Sequence, residues 1–327
     1  MDGNLAVAAD LLTIDPAIET ARISDSVCET LAKQLNRRGV VVGVSGGIDS
    51  SVVAALCTRA LGKDRVLALI MPEADSSKDS EVLGRKLAES LGIRFVVEDI
   101  TGILESAGCY RRRDDAIRSV VPEYGEGYKS MITLPNLLDE DRYAIFSIIV
   151  QSPAGERKKV RLSLDAYLGV VAATNFKQRV RKMMEYYHAD RLNFAVAGTP
   201  NRLEHDLGFF VKNGDGSADL KPIAHLYKSQ VYQLAAYLDV PEEIRKRPST
   251  TDTYSLEQSQ EEFYFSMPLA QMDLCLYGKD HFMSPEQLAP VAGLSAKQVS
   301  RAYAVIDAKR KFANYLSLPP VLVEPLK

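Results

Sequence analysis

Within a few residues of Val40 the chain passes from a β-branched run, Val40-Val41-Val42-Gly43-Val44, into Ser45-Gly46-Gly47-Ile48-Asp49-Ser50-Ser51. An apolar helical pattern (Val52, Val53, Leu56, Ala60, Leu61) begins at once. A strand that turns on glycines straight into a helix belongs to a parallel sheet with helices on its faces. The loop is also built for a phosphate. Glycines let the backbone approach a bulky anion, the first amides of the helix point at it, and Ser45, Ser50 and Ser51 add hydroxyl donors. Asp49 would repel a phosphate unless a divalent cation lay between them, which points to a magnesium-bridged phosphate. The order differs from the Walker loop, which carries a lysine and a longer glycine spacing.

The rest of the chain keeps the same rhythm. Asp15-Pro16 reads as a helix start, with Asp as N-cap and Pro at the first position. Ile23, Val27, Leu31 and Leu35 then make one apolar face, and Gly39 is expected to end that helix. A second strand, 66–71, stops at Pro72; a helix from Ser80 to Leu91 and a third strand, 94–97, follow. A later strand over 193–196 ends at Gly198-Thr199, at the strand edge where open α/β sheets bind ligands. Residues from about 104 to 166 break the pattern and read as an insertion. Within it Arg111-Arg112-Arg113-Asp114-Asp115 is expected to be a solvated face. Strands over 142–151 and 158–164, joined by Ser152-Pro153-Ala154-Gly155, form a hairpin. Two more helices follow Ser284, one beginning near Ser295, and Pro319-Pro320 ends regular structure. The expectation is an α/β fold, a doubly wound parallel sheet over residues 1–280, with a helical extension over 281–327 packed on the same domain.

Several classes drop out on composition. A net charge of -3 gives no global attraction to nucleic acid or anionic membrane. No apolar run approaches the ~20 residues needed to span a bilayer, and no signal peptide is evident. The four cysteines are scattered without zinc-site spacing, which fits reduced thiols in a cytoplasmic protein.

A second constellation lies downstream: Gly198-Thr199-Pro200-Asn201-Arg202-Leu203-Glu204, then Gly208-Phe209-Phe210-Val211-Lys212-Asn213-Gly214-Asp215-Gly216-Ser217-Ala218-Asp219. Alone, each would pass for loop chemistry. The Ser45–Ser51 loop resembles that of ATP pyrophosphatases. With the second constellation, Ile14-Asp15-Pro16, Asn175-x-Lys177-x-Arg179-x-Arg181, Leu226-x-Lys228 and Arg247-Pro248-Ser249, the chain resembles the NAD synthetase family, over most of residues 14–265 outside the insertion.

That resemblance implies a Rossmann-like ATP pyrophosphatase fold and a two-step reaction. The carboxylate of nicotinic acid adenine dinucleotide attacks the α-phosphorus of ATP, giving an acyl-adenylate and pyrophosphate. Ammonia then displaces AMP to form the amide of NAD. It implies catalytic roles for Asp49, Lys228 and Glu204, with Asp49 and Glu204 as ligands of Mg²⁺. Ser45, Gly46, Gly47, Asp49, Ser50, Ser51, Thr199, Lys228 and Ser249 would bind ATP and pyrophosphate. Asn175, Arg179, Arg181, Lys212, Asp215 and Asp219 would bind the dinucleotide. Free ammonia or a separate glutaminase would supply nitrogen, and a homodimer is implied, with the Ile23–Leu35 face as interface or core. His205, beside Glu204, is the one histidine of interest. The segment 71–80 and the C-terminal extension look like the family's glutamine-dependent branch. Where ammonia-dependent relatives often place an aromatic before the matching Asn, this chain has Val170, Val171 and Ala172, leaving Tyr167 or Phe176 to stack on a pyridine ring. Three other readings stay open: an amide ligase of the same fold acting on another carboxylate, a tRNA-thiolating enzyme, and a nucleotide sensor without turnover.

Overall fold

The computed structural model describes residues 11–133, 146–250, 254–256, 259–260 and 264–324. Four parallel strands form the central sheet: β1 (Val40–Gly43), β2 (Val66–Ile70), β3 (Arg94–Val97) and β7 (Ala195–Ala197), in the spatial order β3-β2-β1-β7. The order reverses between β1 and β7, and in such doubly wound sheets ligands bind at that switch point, beyond the carboxyl ends of the strands.

Alternation along each strand decides which helices it meets. Val40, Val42, Ala68 and Ile70 face one side, where α1 (Pro16–Glu29), α2 (Ile48–Leu61), α8 (Lys228–Tyr237) and α9 (Glu242–Lys246) pack. Val41, Leu67, Leu69 and Val196 face the other, where α4 (Thr101–Ser106), α5 (Cys109–Arg118) and α6 (Leu164–Leu192) pack. Both faces are covered, so β1, β2 and β7 are apolar along their length, as parallel strands are, while the edge strand β3 begins at the exposed Arg94. The α3 helix (Lys78–Leu91) closes the β2–β3 crossover.

The Asp15 side chain accepts from the amides of Ala17 and Ile18 and starts α1 as expected. Ile23, Val27 and Leu31 are buried in the main core, which settles that face as core. The helix does not run on to Gly39. A π-helical turn, Thr30–Leu35, ends at Asn36 in the left-handed conformation. Gly39 instead permits a close approach between segments, because a Cβ there would stand 2.3 Å from the Arg65 carbonyl.

Between α5 and α6, β5 (Ser147–Gln151) and β6 (Arg157–Arg161) form the expected hairpin, though residues 142–145 lie outside the described residues and the second strand stops at Arg161 because Ser163 caps α6. A third antiparallel strand, β4 (Lys129–Thr133), pairs with β5 and had no clear signal in the sequence. Ile117, Val121, Ile132, Ile148 and Val150 give this sheet a small core shared with Ala166 and Val170 of α6. The charged run 111–115 is only partly solvated. Arg113, on α5, is buried because its guanidinium pairs with Asp75.

Ser284 and Ser295 cap α11 (Pro285–Ala292) and α12 (Ala296–Ser317) through reciprocal bonds with Gln287 and Gln298. Leu288, Val299, Ala302 and Ile306 share a core with α7 (Arg202–Leu207) and α10 (Leu269–Asp280), so the last helices are seated beside Glu204. No helix among the described residues is long and apolar enough to cross a membrane.

Candidate active site

A cavity of about 1460 Å³ opens beyond the carboxyl edge of the sheet. Ser45, Gly47, Asp49 and Ser50 line it from the β1–α2 turn, and Thr199 and Glu204 from the segment after β7. The turn is shaped by its own hydroxyls: Ser50 and Ser51 both donate to the Gly47 carbonyl, and the Gly47 amide donates to Ser45 Oγ at 3.3 Å. Gly46 takes φ +72°, and a Cβ there would meet the Ser80 carbonyl at 2.7 Å, so only glycine fits. Gly46 and Ser51 form the turn but do not line the cavity; Ser51 points back into the helix and is fully buried.

Asp49 is the hub. Its Oδ1 accepts from Asn201 Nδ2 at 3.0 Å, and its Oδ2 accepts from Lys228 Nζ. Asn201 also caps α7, accepting from the Glu204 amide while Glu204 Oε2 accepts from the Asn201 amide. One residue thus ties the strand edge, the helix and Asp49 together. Glu204 Oε1 accepts from Gln260 Nε2 at 2.9 Å. Burial and the nearby charge of Asp49 push the Glu204 carboxyl well above the usual carboxylate range, with Lys228 opposing them. Two crowded carboxylates sharing one ammonium are a donor set short of positive charge. Hard oxygen ligands of this kind suit Mg²⁺, and bound there it would supply the missing charge.

Lys228 is buried, does not itself line the cavity, and is held from behind. At the start of α8, its amide and that of Ser229 donate to Asp273 at 3.1 and 2.8 Å. Burial lifts the Asp273 carboxyl to about 6. Arg247 reaches from the far side to the Gly46 carbonyl and to Ser80 Oγ, and Ser249 lines the cavity next to it.

The dinucleotide set divides. Asn175, Arg179, Arg181, Lys212 and Asp215 all line the cavity. Asp219 does not. Its carboxylate accepts from the Val196 amide at 2.7 Å and from the Tyr186 hydroxyl at 3.3 Å, so it pins the edge of β7. Asp215 is half-buried on the cavity wall and accepts from the Val211 amide at 2.8 Å; desolvation there raises its carboxyl. Lys212 donates to the carbonyls of Tyr315 and Leu318 at the end of α12. Of the two aromatics expected to stand in for the missing ring, Tyr167 lines the cavity, stacked on Phe146 at 3.8 Å between centroids, and Phe176 packs in the core instead. His205 stacks on Phe210, and burial lowers its pKa.

Sequence reasoning passed over Gln260, Asp273 and the bridging role of Asn201. It also passed over Lys309 on α12, which lines the cavity with its ammonium 3.2 Å from the centre of the Tyr264 ring and its pKa pushed down to about 7 by burial. Asn201, lying in the Thr199–Glu204 run three residues before Glu204, carried the one usable signal, that of a capping box.

A glycine turn, a carboxylate pair and a buried lysine stand at the switch point of a doubly wound sheet, in an α/β protein of the ATP pyrophosphatase fold. A family model described as NAD synthase matches residues 19–119 and 151–313, skipping 120–150 within the inserted region. An NH3-dependent NAD+ synthetase of Rhizobium meliloti (strain 1021) is 57% identical over 323 residues, covering 99% of this chain and 96% of that protein. The chain belongs to the NAD synthase family. Among solved structures, an NMN synthetase from Francisella tularensis (TM-score 0.64, 21% identity) covers 95% of this chain and 99% of its own. An NH3-dependent NAD synthetase from Campylobacter jejuni (TM-score 0.62, 24% identity) covers 95% and 100%. At those identities the two structures speak for the fold.

Proposed function

We infer that the protein makes NAD by ATP-dependent amidation of nicotinic acid adenine dinucleotide, with ammonia as nitrogen donor and AMP and pyrophosphate as the other products. The observation that carries this is the continuity of one cavity from the Ser45–Ser51 turn to Asn175, Arg179 and Asp215. Its volume of about 1460 Å³ exceeds the roughly 300–1,000 Å³ of a one-ligand pocket, which supports a site for more than one ligand. The high identity to an NH3-dependent enzyme over nearly its whole length favours this substrate over another carboxylate.

The residues divide the work accordingly. The Ser45, Gly47 and Ser50 groups and the first amides of α2 surround the leaving pyrophosphate, where negative charge accumulates. Ser249 contacts the phosphates, and Lys228, buried one layer behind the cavity wall, acts on them through its charge at Asp49. Mg²⁺ held by Asp49 and Glu204 would offset charge on the same oxygens. Asn175, Arg179, Arg181, Lys212 and Asp215 hold the dinucleotide, with Tyr167 as the stacking ring. Holding both reactants in one pocket converts an encounter into a local displacement. A homodimer is part of this reading, supported by the exposed Leu164, Leu168, Met183 and Tyr187 along α6. A cytoplasmic location accords with free thiols at Cys28, Cys57, Cys109 and Cys275.

The test mixes purified protein with ATP, Mg²⁺, ammonium and nicotinic acid adenine dinucleotide and follows both pyrophosphate and NAD. Equimolar formation of the two, abolished by Asp49→Asn, is expected. Pyrophosphate without NAD, or silence from protein that binds ATP, would overturn the assignment.

A further inference from the structure

One layer behind the cavity wall lies a second charged cluster that the reaction does not use. Lys177 and Glu73 have side chains with 0% exposure, and Asp75 and Arg113 are nearly as deep. Lys177 Nζ donates to Glu73 Oε1 at 3.0 Å and to Asp75 Oδ2 at 2.7 Å, and Arg113 donates to the same Asp75 oxygen. The Tyr110 hydroxyl donates to Glu73 Oε2 at 2.8 Å and accepts from the Ala74 amide, while the Lys177 ammonium and the Arg113 guanidinium both lie over the Tyr110 ring. None of these five side chains lines the cavity.

What they hold does. The acids belong to the loop after β2, whose Met71, Pro72 and Ser76 form one wall; Lys177 belongs to α6, whose Asn175, Gln178 and Arg181 form the next. Arg181 closes the corner, donating to the Met71 carbonyl at 3.4 Å and to Ser76 Oγ at 3.5 Å. The loop stands beside the Ser45–Ser51 turn, since β1 and β2 are neighbours and the Val44 amide donates to the Leu69 carbonyl. Buried ion networks rarely stabilise a protein more than apolar side chains of the same size would, so their distinctive contribution is geometry.

We propose that Glu73, Asp75, Lys177, Arg113 and Tyr110 form a positioning network for ATP: they fix the 71–76 loop against α6 and so set the wall of the ATP side of the cavity without touching the nucleotide. This rests on reading the cavity as the ATP and dinucleotide site. It also gives α5 a part in that site, because that helix supplies both Arg113 and Tyr110.

The experiment replaces the outer ion pair by apolar residues in one protein, Asp75→Leu with Arg113→Met, and compares it with Arg113→Lys. ATP affinity is read by titration calorimetry, and KM for each substrate by turnover. The apolar pair is expected to weaken ATP binding about tenfold, as displacement of a binding wall does, with a smaller rise in the dinucleotide KM, since Arg181 bonds the same loop, and a melting temperature near that of wild type. Arg113→Lys is expected to restore ATP binding to within about twofold, since it keeps a donor to Asp75. Unchanged ATP affinity in the folded apolar variant, or equal rises in both KM values, would overturn the proposal. If that variant does not fold, Tyr110→Phe decides: about threefold weaker ATP binding supports the network, and wild-type affinity refutes it. Because binding is measured directly, wild-type protein that binds ATP yet makes no NAD sinks the functional reading and still leaves the network measurable.

Discussion

Around Asp49 two carboxylates face one ammonium, with Asn201 and Gln260 as neutral donors. Around Lys177 two carboxylates face an ammonium and a guanidinium, with the Tyr110 hydroxyl as the fifth member. Their titration runs in opposite directions. Burial and Asp49 raise Glu204, whereas at Asp75 the two cations outweigh burial and hold the carboxyl below its usual value. The first cluster is short of positive charge and opens on the cavity; the second is balanced and closed. A shortage of charge facing a cavity marks where a charged ligand acts, and a closed balance marks where the chain is braced.

The comparison can be broken by substitution. Lys228→Met removes the ammonium at Asp49 and is expected to lower kcat/KM about 10³-fold or more while the protein still folds, as judged by circular dichroism and steady-state rates. Retained turnover would mean the open cluster is not the reacting one. Lys177→Met leaves the buried Glu73 without a cation while Asp75 keeps Arg113, and is expected to cost about 3–5 kcal/mol in urea unfolding, far more than it costs any single rate constant of protein that remains folded. Glu204→Gln should show the reverse: about 10²-fold less activity with a melting temperature, in metal-free protein, equal to or above that of wild type. A large drop in melting temperature would place Glu204 among the braces.

The smallest effect is one of pH. Since the folded-state pKa of Asp75 is depressed, its stabilising contribution is present above the unfolded value of about 4 and fades as pH falls through the lower folded value. Asp75→Asn is therefore expected to melt lower than wild type near neutrality, and the gap to close in acid. A gap of constant size would show that the Asp75 charge is irrelevant.

The two clusters also differ in how far the sequence betrayed them. Asp49, Glu204 and Lys228 sit in short motifs beside strand ends, where glycines and the switch from period two to helical spacing mark the turn. The same signals located β1, β2, β3 and the start of α1 to within a residue or two. Lys177 lay inside a recognised motif, but its partners Glu73, Asp75 and Arg113 come from two other segments, and no local pattern pairs residues so far apart. Arg113 looked solvated because four charged neighbours surround it in sequence, and only the fold turns it inward. β4 went unread for a related reason: its single strongly apolar core position, Ile132, acquires meaning only when β5 lies beside it. Asp219 shows the opposite failure, a motif position whose side chain serves the sheet and not the cavity.

The bond from Lys212 to the last turn of α12 has a practical consequence for handling the protein. Its ammonium donates to the Tyr315 and Leu318 carbonyls, so the cavity-lining stretch around residues 208–215 is moored to the end of α12. Strain placed on α12, whether by a bulky fusion or a tether beyond it, would be felt along that mooring as a change in substrate affinity.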